Sequence, residues 1–340
     1  MTAERTLLQE RLVNIVHRFP QQRVVVIGDS VADQFLYGAI SRVSREAPVL
    51  ILQHEHTETV PGGAANCALN IASLGGNASL VSVVGDDPAG QALLEKLKVA
   101  GVDCGGVVVS SEARTTTKVR ILAGQLHSTR QQVIRVDYEG NRVNGSKLNE
   151  QLRERALTQS AEAKAVVVSD YNYGVVDSSM ADFAREIGSA RNIHILADSR
   201  FRLADFHGFT SATPNQDEVE QLLGKELNEA AEIQTAAEEL RAKLGHRALL
   251  VTRGGSGMTL IEDGVEALHL EAVGASEPVD VTGAGDTVMA TYALALASDS
   301  SFPDAARLAN YAGGLVVMKR GTASISSAEL KTSIIHSELS

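Results

Sequence analysis

Only two cysteines, Cys67 and Cys104, occur in 340 residues. Two thiols make neither a disulfide framework nor a four-ligand zinc site, and they fit a reducing compartment. Apolar runs of the roughly 18 residues that a membrane span needs are missing. The opening stretch MTAERTLLQERLVNIVHRFP is amphipathic and lacks the apolar core of a signal peptide. A cytoplasmic location without a membrane partner is therefore expected. Excess positive charge is lacking too. Against 42 acids stand 31 bases, for a net charge of -11, so no nucleic-acid partner is expected and an anionic substrate would need a local basic pocket. Two familiar phosphate-binding patterns are also absent. There is no G-x-x-x-x-G-K-[ST], and no G-x-G-x-x-G follows the first strand-like run.

What is present is an alternation. RVVVIGD (23–29), ASLVSVVG (78–85), AKAVVVSD (163–170), IHILAD (193–198) and RALLVT (247–252) are short apolar runs ending near a polar residue or glycine. Helical stretches separate them, among them 64–76, 88–101 and 146–161. This is βαβ alternation, which predicts a mostly parallel sheet covered on both faces. A hairpin is expected at 257–270 around the Asp263-Gly264 turn, and two closing helices at 284–298 and 303–318. Residues 35–60 lack a helical period and read as strands outside the main sheet. Further strands are expected between about 105 and 137. No repeat or linker divides the chain, so 1–340 reads as one domain. Ligands of open α/β sheets bind beyond the carboxyl ends of the strands, which draws attention to Asp29, Asp33, Asp170, Asp198, Asn215 and Thr252.

Four short stretches carry candidate chemistry. In VDVTGAGDT (279–287), Gly283, Ala284 and Gly285 precede Asp286 at the start of an apolar helix. Bare amides and the helix dipole make such a turn an anion site. Asp286 is then either a helix cap or a base beside a phosphate. In PGGAANCALN (61–70), Gly62 and Gly63 form a tight turn or permit a close approach, with Asn66 in the first helical turn. GDSVAD (28–33) places Asp29 and Asp33 past the first strand. In TPNQDEVE (213–220), Asn215 and Glu218 stand three apart, as in a metal–phosphate site or a capping box.

Taken together and in this order, these stretches resemble the ribokinase-like (PfkB) family of carbohydrate kinases over about 23–325. VTRGGSGM (251–258) resembles that family's nucleotide-side loop. The resemblance implies an α/β ribokinase-like fold with a mostly parallel central sheet, helices on both faces and a small β lid. The lid would come mainly from 35–60, with 105–137 as a further contributor. It implies transfer of the ATP γ-phosphoryl group to a sugar hydroxyl. Asp286 would be the base, with the amides around Gly283, Ala284 and Gly285 holding the migrating group. Asp33, Gly62, Gly63 and Asn66 would hold the sugar, with Lys118 and Arg120 nearby. Asn215 and Glu218 would place Mg²⁺ through water. Thr252, Gly254 and Asn310 would border the nucleotide. Some members use K⁺ near the signature loop, here at Asp280. Arg42, Arg45, Lys118 and Arg120 are candidates for the basic pocket, or else for simple solvation or structural ion pairs.

One branch is most similar, on GDSVADQFLYGAISRVSREAPV, PGGAANCALNIASLGGNASLV, TTTKVRIL, VVVSDYNYG and LANYAGGLVVMKRGT. It comprises the kinases of the anomeric hydroxyl of D-glycero-β-D-manno-heptose 7-phosphate. Some of its members carry a fused nucleotidyltransferase domain, and a kinase domain without one is expected within these 340 residues. The branch pattern D-Y-x-K-G becomes DYNYG here, with Tyr173 for lysine, and D-P-K-G becomes DSRF, with Ser199 and Arg200. Those departures keep open another sugar kinase of the family, acting on fructose, a ketodeoxy sugar acid or a nucleoside. A sensor without catalysis is the remaining alternative. Exposed lid edges would suit a second subunit, so a homodimer through the lid is expected.

Overall fold

The computed structural model describes residues 3–124, 130–140, 146–274 and 277–337. The first half of the chain contains α1 (Ala3–Arg18), β1 (Arg23–Gly28), β2 (Ser30–Val43), β3 (Leu50–Gly63), α2 (Ala64–Ser73), β4 (Asn77–Gly85), α3 (Pro88–Val99), β5 (Asp103–Ser110), β6 (Thr117–Gly124) and β7 (Gln131–Tyr138). Next come α4 (Ser146–Gln159), β8 (Ala165–Asp170), α5 (Ser178–Arg191), β9 (His194–Ser199), β10 (Ser211–Ala212), α6 (Gln216–Leu223) and α7 (Ala230–Leu244). The chain closes with β11 (Ala248–Thr252), β12 (Met258–Glu262), β13 (Leu268–Leu270), α8 (Ala284–Ala297), α9 (Phe302–Val316) and α10 (Ser327–His336). Among the described residues, no helix is long and apolar enough to cross a membrane.

Nine strands form the main sheet in the order β13-β12-β11-β10-β9-β8-β1-β4-β5. All neighbours from β5 to β11 run parallel, while β12 and β13 add an antiparallel edge. The continuous apolar runs of the sequence have the reason expected of a parallel sheet, since both faces are covered. On β1, Val24 and Val26 pack into one core with α1, α2, α8, α9 and α10. Val25 and Ile27 face the other, built with α4, α5 and α7. Helix α8 is buried almost all round, which explains why its apolar residues show no one-sided period.

A second sheet of four strands, β3-β2-β6-β7, stands outside the first. Its longest pairing joins β2 to β3 from Ser30↔Gly63 to Val43↔Leu50, so these strands rise directly from the main sheet. The expected start at 35 is corrected: β2 begins one residue after Asp29, where the polar GDS reads locally as a turn. The stretch 103–110 is corrected as well. It pairs in parallel with β4 at the edge of the main sheet and is not lid. Helix α10 has no counterpart in the sequence reading. It is short, and the Ser326–Glu329 capping box that starts it is its clearest local signal.

The chain reverses its direction of sheet growth around β1, whose neighbours are β4 and β8. In open α/β sheets that is where a crevice forms beyond the carboxyl ends of the strands. The lid strands leave from the same point.

Candidate active site

At the end of β1, Gly28 is required by close packing, because a Cβ there would stand 2.0 Å from the Ser169 carbonyl oxygen. The next residue, Asp29, is buried. Its Oδ2 accepts N–H bonds from Tyr171 (2.9 Å) and Tyr173 (3.0 Å), and Oδ1 accepts from Val175 (2.9 Å). Burial pushes its carboxyl above the ordinary range, and these three bonds pull the other way. Asp29 therefore shapes the loop after β8. Asp170 acts similarly, accepting from Ser199 Oγ and the Arg202 guanidinium.

Asp286 lies in the first turn of α8 and is 4% exposed. It is not the helix cap. That position belongs to Gly283, whose φ of 77° favours glycine. The Asp286 side chain turns instead toward two donors from distant elements. Asn66 Nδ2 donates to Oδ2 at 2.7 Å, and the Tyr171 hydroxyl donates to Oδ1 at 2.9 Å. Burial, then the charge of Asp198, raises its pKa to about 7, against the pull of these two bonds. The Ala284 N–H bonds the Val281 carbonyl at 3.2 Å. Among the described residues, the N–H groups of Gly283, Gly285 and Asp286 have no protein acceptor. A Cβ on Gly285 would meet nothing within 4 Å, so the helix start is open there.

Asn66 was expected to grip sugar hydroxyls through its amide. It is fully buried, with Nδ2 on Asp286 and Oδ1 accepting from Asn70 Nδ2 at 3.1 Å. Asn70 Oδ1 in turn accepts from Thr287 Oγ1 at 3.0 Å. Asn66 thus orients the acid. The double glycine before it is explained by contact. A Cβ on Gly62 would stand 2.5 Å from Asp33 Oδ2, and one on Gly63, at φ 60°, would stand 2.5 Å from the Asp29 carbonyl oxygen.

Asp33 is buried at the root of the lid and paired with Arg120, which also covers the Phe35 ring. For Arg120 the ion-pair alternative is therefore the one the geometry realises. Lys118 sits opposite Asp33 on the neighbouring strand and 5.9 Å from the Tyr173 ring centroid. Among the described residues it has no ion-pair partner within 4 Å, and burial lowers its pKa. Arg200 is exposed and bears electrostatically on both Lys118 and Glu218. Arg42 and Arg45 are exposed toward the far end of the β2–β3 ribbon. At ~3.3 Å per residue, Arg42 lies about 30 Å along the strand from Asp33. They are not part of the same chain's crevice.

On the other side of the crevice, Asn215 and Glu218 form the capping box of α6. Asn215 Oδ1 accepts from the Glu218 N–H at 2.8 Å, and Glu218 Oε2 accepts from the Asn215 N–H at 2.9 Å. Asn215 also bridges to Thr252 at the end of β11. Gly254 follows with φ 52° and open space around its Cα. Asn310, buried on α9, donates to the Glu271 carbonyl at 2.7 Å and lines a cavity of about 680 Å³ with Leu270 and Val273. Asp280 accepts from the Thr282 and Gly321 N–H groups, both at 2.9 Å, which tie the signature loop to the turn after α9 and lower its pKa against burial.

Sequence reasoning missed Tyr171 and the weight of Asp198. Tyr171 follows a strand-ending acid in DYNYG, which is a visible position, but its contact with a residue 115 places later is not. Burial raises Asp198 and Glu218 to about 7, and the pressure of nearby acids adds to it. Asp198, Glu218 and Asp286 thus make an acidic row with little compensation. Of these, Asp198 and Glu218 are hard oxygen donors that fit Mg²⁺ held largely through water and phosphate. They do not make a protein cage, since no group of three His, Cys, Asp or Glu able to hold a metal occurs among the described residues.

The row predicts a stability effect. A carboxyl raised in the folded state destabilises folding increasingly as pH rises from its unfolded value near 4 to its folded value near 7. Asp198→Asn should therefore raise unfolding free energy by about 1–3 kcal/mol at pH 8, and by much less near pH 5. Urea melts without Mg²⁺ at the two pH values measure this. An equal gain at both would contradict the electrostatic origin.

Comparison with known proteins agrees with this geometry. The model of the pfkB family carbohydrate kinases matches residues 21–329. The bifunctional protein HldE of Pseudomonas aeruginosa is 44% identical over 319 residues, covering 93% of this chain and 64% of the relative. HldE of Hahella chejuensis is 41% identical over 317 residues with the same coverage. The chain thus spans just under two thirds of these relatives' length. Among solved structures, Arabidopsis thaliana ribokinase complexed with ribose and ATP superposes with a TM-score of 0.72 at 21% identity, covering 93% of this chain and 99% of that one. Escherichia coli phosphofructokinase-2 in complex with potassium gives 0.75 at 19% identity, covering 93% and 98%. The nine-stranded sheet and its lid are the ribokinase-like fold, and the chain belongs to the pfkB family of carbohydrate kinases.

Proposed function

We propose that this chain is an ATP-dependent kinase whose acceptor is the anomeric hydroxyl of D-glycero-β-D-manno-heptose 7-phosphate. The observation that carries the reaction class is Asp286: a buried carboxylate held by two side-chain donors beside a helix start with bare amides. Phosphoryl transfer needs positioning, charge neutralisation and a proton acceptor. Asp286 takes the proton of the acceptor hydroxyl. The Gly283, Gly285 and Asp286 amides, with the α8 dipole, stabilise charge on the migrating group. Asp33 holds sugar hydroxyls, and Thr252, Gly254 and Asn310 border the nucleotide. Mg²⁺, when bound, offsets the phosphate charge, and Glu218 and Asp198 would hold its water shell. Asp280 is the residue of this chain nearest in role to a K⁺ site. The lid excludes water from the transfer. Its outer strands β3 and β7 leave edges for pairing with a second copy.

The sugar phosphate rests on the resemblance of 28–49, 61–81 and 166–174 to the heptose-phosphate kinases, and on Lys118. A half-buried ammonium with no carboxylate within 4 Å among the described residues is suited to a phosphate in a chain that is otherwise acidic. An ADP-release screen across sugars and sugar phosphates tests this. Heptose 7-phosphate should give the highest kcat/KM, with unphosphorylated heptose at least about 10²-fold lower for loss of a charged contact. Fastest turnover of an unphosphorylated sugar would transfer the chain to another branch of the family. Sugar binding without ADP at any Mg²⁺ concentration would make it a sensor.

A further inference from the structure

The proposed base has two anchors of different kinds. Asn66 is locked from behind, since its oxygen accepts from Asn70, and Asn70 accepts from Thr287 on the same helix as Asp286. The other anchor, Tyr171, comes from a loop whose backbone Asp29 clamps through three N–H bonds. The Tyr171 ring lies against Gly63, where a Cβ would stand 3.4 Å from two ring carbons. A carboxylate offers about four lone-pair directions. Asn66 and Tyr171 take one on each oxygen, leaving one on each for an incoming hydroxyl. With a single anchor the carboxylate would be free to turn about its broad χ2 well.

We propose that Tyr171 is a positioning residue for phosphoryl transfer, its hydroxyl fixing Oδ1 of Asp286 opposite the Asn66 bond so that the acid meets the acceptor hydroxyl in one orientation. This rests on the reading of Asp286 as the base. The phenol is suited to the task. Burial, and then the Asp286 charge, push its pKa well up, so it remains a donor at every working pH. Its bond to the charged form also favours ionised Asp286.

The test compares Tyr171→Phe, Tyr171→3-fluorotyrosine and Asp286→Asn in the purified chain with the same sugar phosphate and ATP. The Phe variant keeps the ring on Gly63 and removes only the donor. Its kcat should fall about 10–100-fold, the scale of a misplaced reacting group. KM for ATP should stay within about twofold, the pattern of a lost transition-state interaction. The acid limb of its kcat profile should move up by about half to one pH unit, because a bond to the charged form is gone. The fluorinated phenol is a stronger donor and should move the limb down. Substrate ionisation is common to all three chains and cancels in the comparison. Limbs that coincide in the Phe, fluorotyrosine and parent chains would overturn the proposal, as would shifts of one sign in both. If the Phe chain fails to fold, the fluorotyrosine limb alone decides: a downward shift supports the role and an unmoved limb overturns it. Near-parent turnover of Asp286→Asn would instead remove the base reading, and the role of Tyr171 with it.

Discussion

Asp286→Asn should lower kcat by roughly 10²–10⁴-fold, the usual size of a general-base contribution, while ATP binding changes little. The amide is nearly isosteric, so the α8 start and its bare N–H groups keep their places. The hydrogen bonds also find a solution. Asn66 Nδ2 can only donate, so the new amide oxygen must face it. The new NH₂ then faces Tyr171, whose hydroxyl can turn to accept. The variant loses the proton acceptor and keeps both contacts to the side chain, at the cost of the Tyr171 O–H, which gives up its acceptor on Oδ1. Calorimetric titration with ATP and a coupled ADP assay separate the two effects. A kcat within tenfold of the parent would show that another group takes the proton, or that the hydroxyl gives it up only after transfer. Loss of ATP binding would instead mean that the charge of Asp286 organises the nucleotide side.

Much of the scaffold was readable because parallel strands buried on both faces leave an unmistakable run of β-branched residues. RVVVIG and AVVVS are such runs, and they become the adjacent strands β1 and β8. Gly62 and Gly63 were readable as places of close approach or positive φ, and Gly283 as part of a turn. What each avoids was not, because Asp33, the Asp29 carbonyl and Asn66 come from other elements. The pairing of Asn215 with Glu218 shows a different limit. One spacing serves a capping box and a water-mediated metal site alike, and the cap is the part that the geometry displays. Asp286 is the opposite case. Its position in the motif is local, but its state depends on Asn66, 220 residues earlier, on Tyr171 and on the charge of Asp198. A charge environment assembled from four strand and helix ends leaves no periodic trace in the chain.

Asp29→Ala should cost about 3–5 kcal/mol of stability, since three backbone N–H groups would lose their acceptor at a place largely closed to water. Asp29→Asn should cost less, about 1–3 kcal/mol. Its amide oxygen can keep the bonds from Tyr171 and Tyr173 that now share Oδ2, leaving only the Val175 N–H opposed by an NH₂ group. The amide also avoids burying a charge, a penalty visible in the raised pKa of Asp29. Urea unfolding of the three chains at pH 7.5 gives the order, and a loss below about 1 kcal/mol for the Ala variant would show that the loop finds other acceptors. The consequence reaches beyond stability. The loop that Asp29 clamps carries Tyr171, and Tyr171 carries one of the two bonds to Asp286. Under conditions where the Ala variant remains folded, its kcat should therefore fall at least as far as that of Tyr171→Phe, about 10–100-fold, because both remove the same anchor from the acid. A folded Ala variant with parent kcat would separate the loop from the chemistry, and would leave Asp29 as a structural residue only.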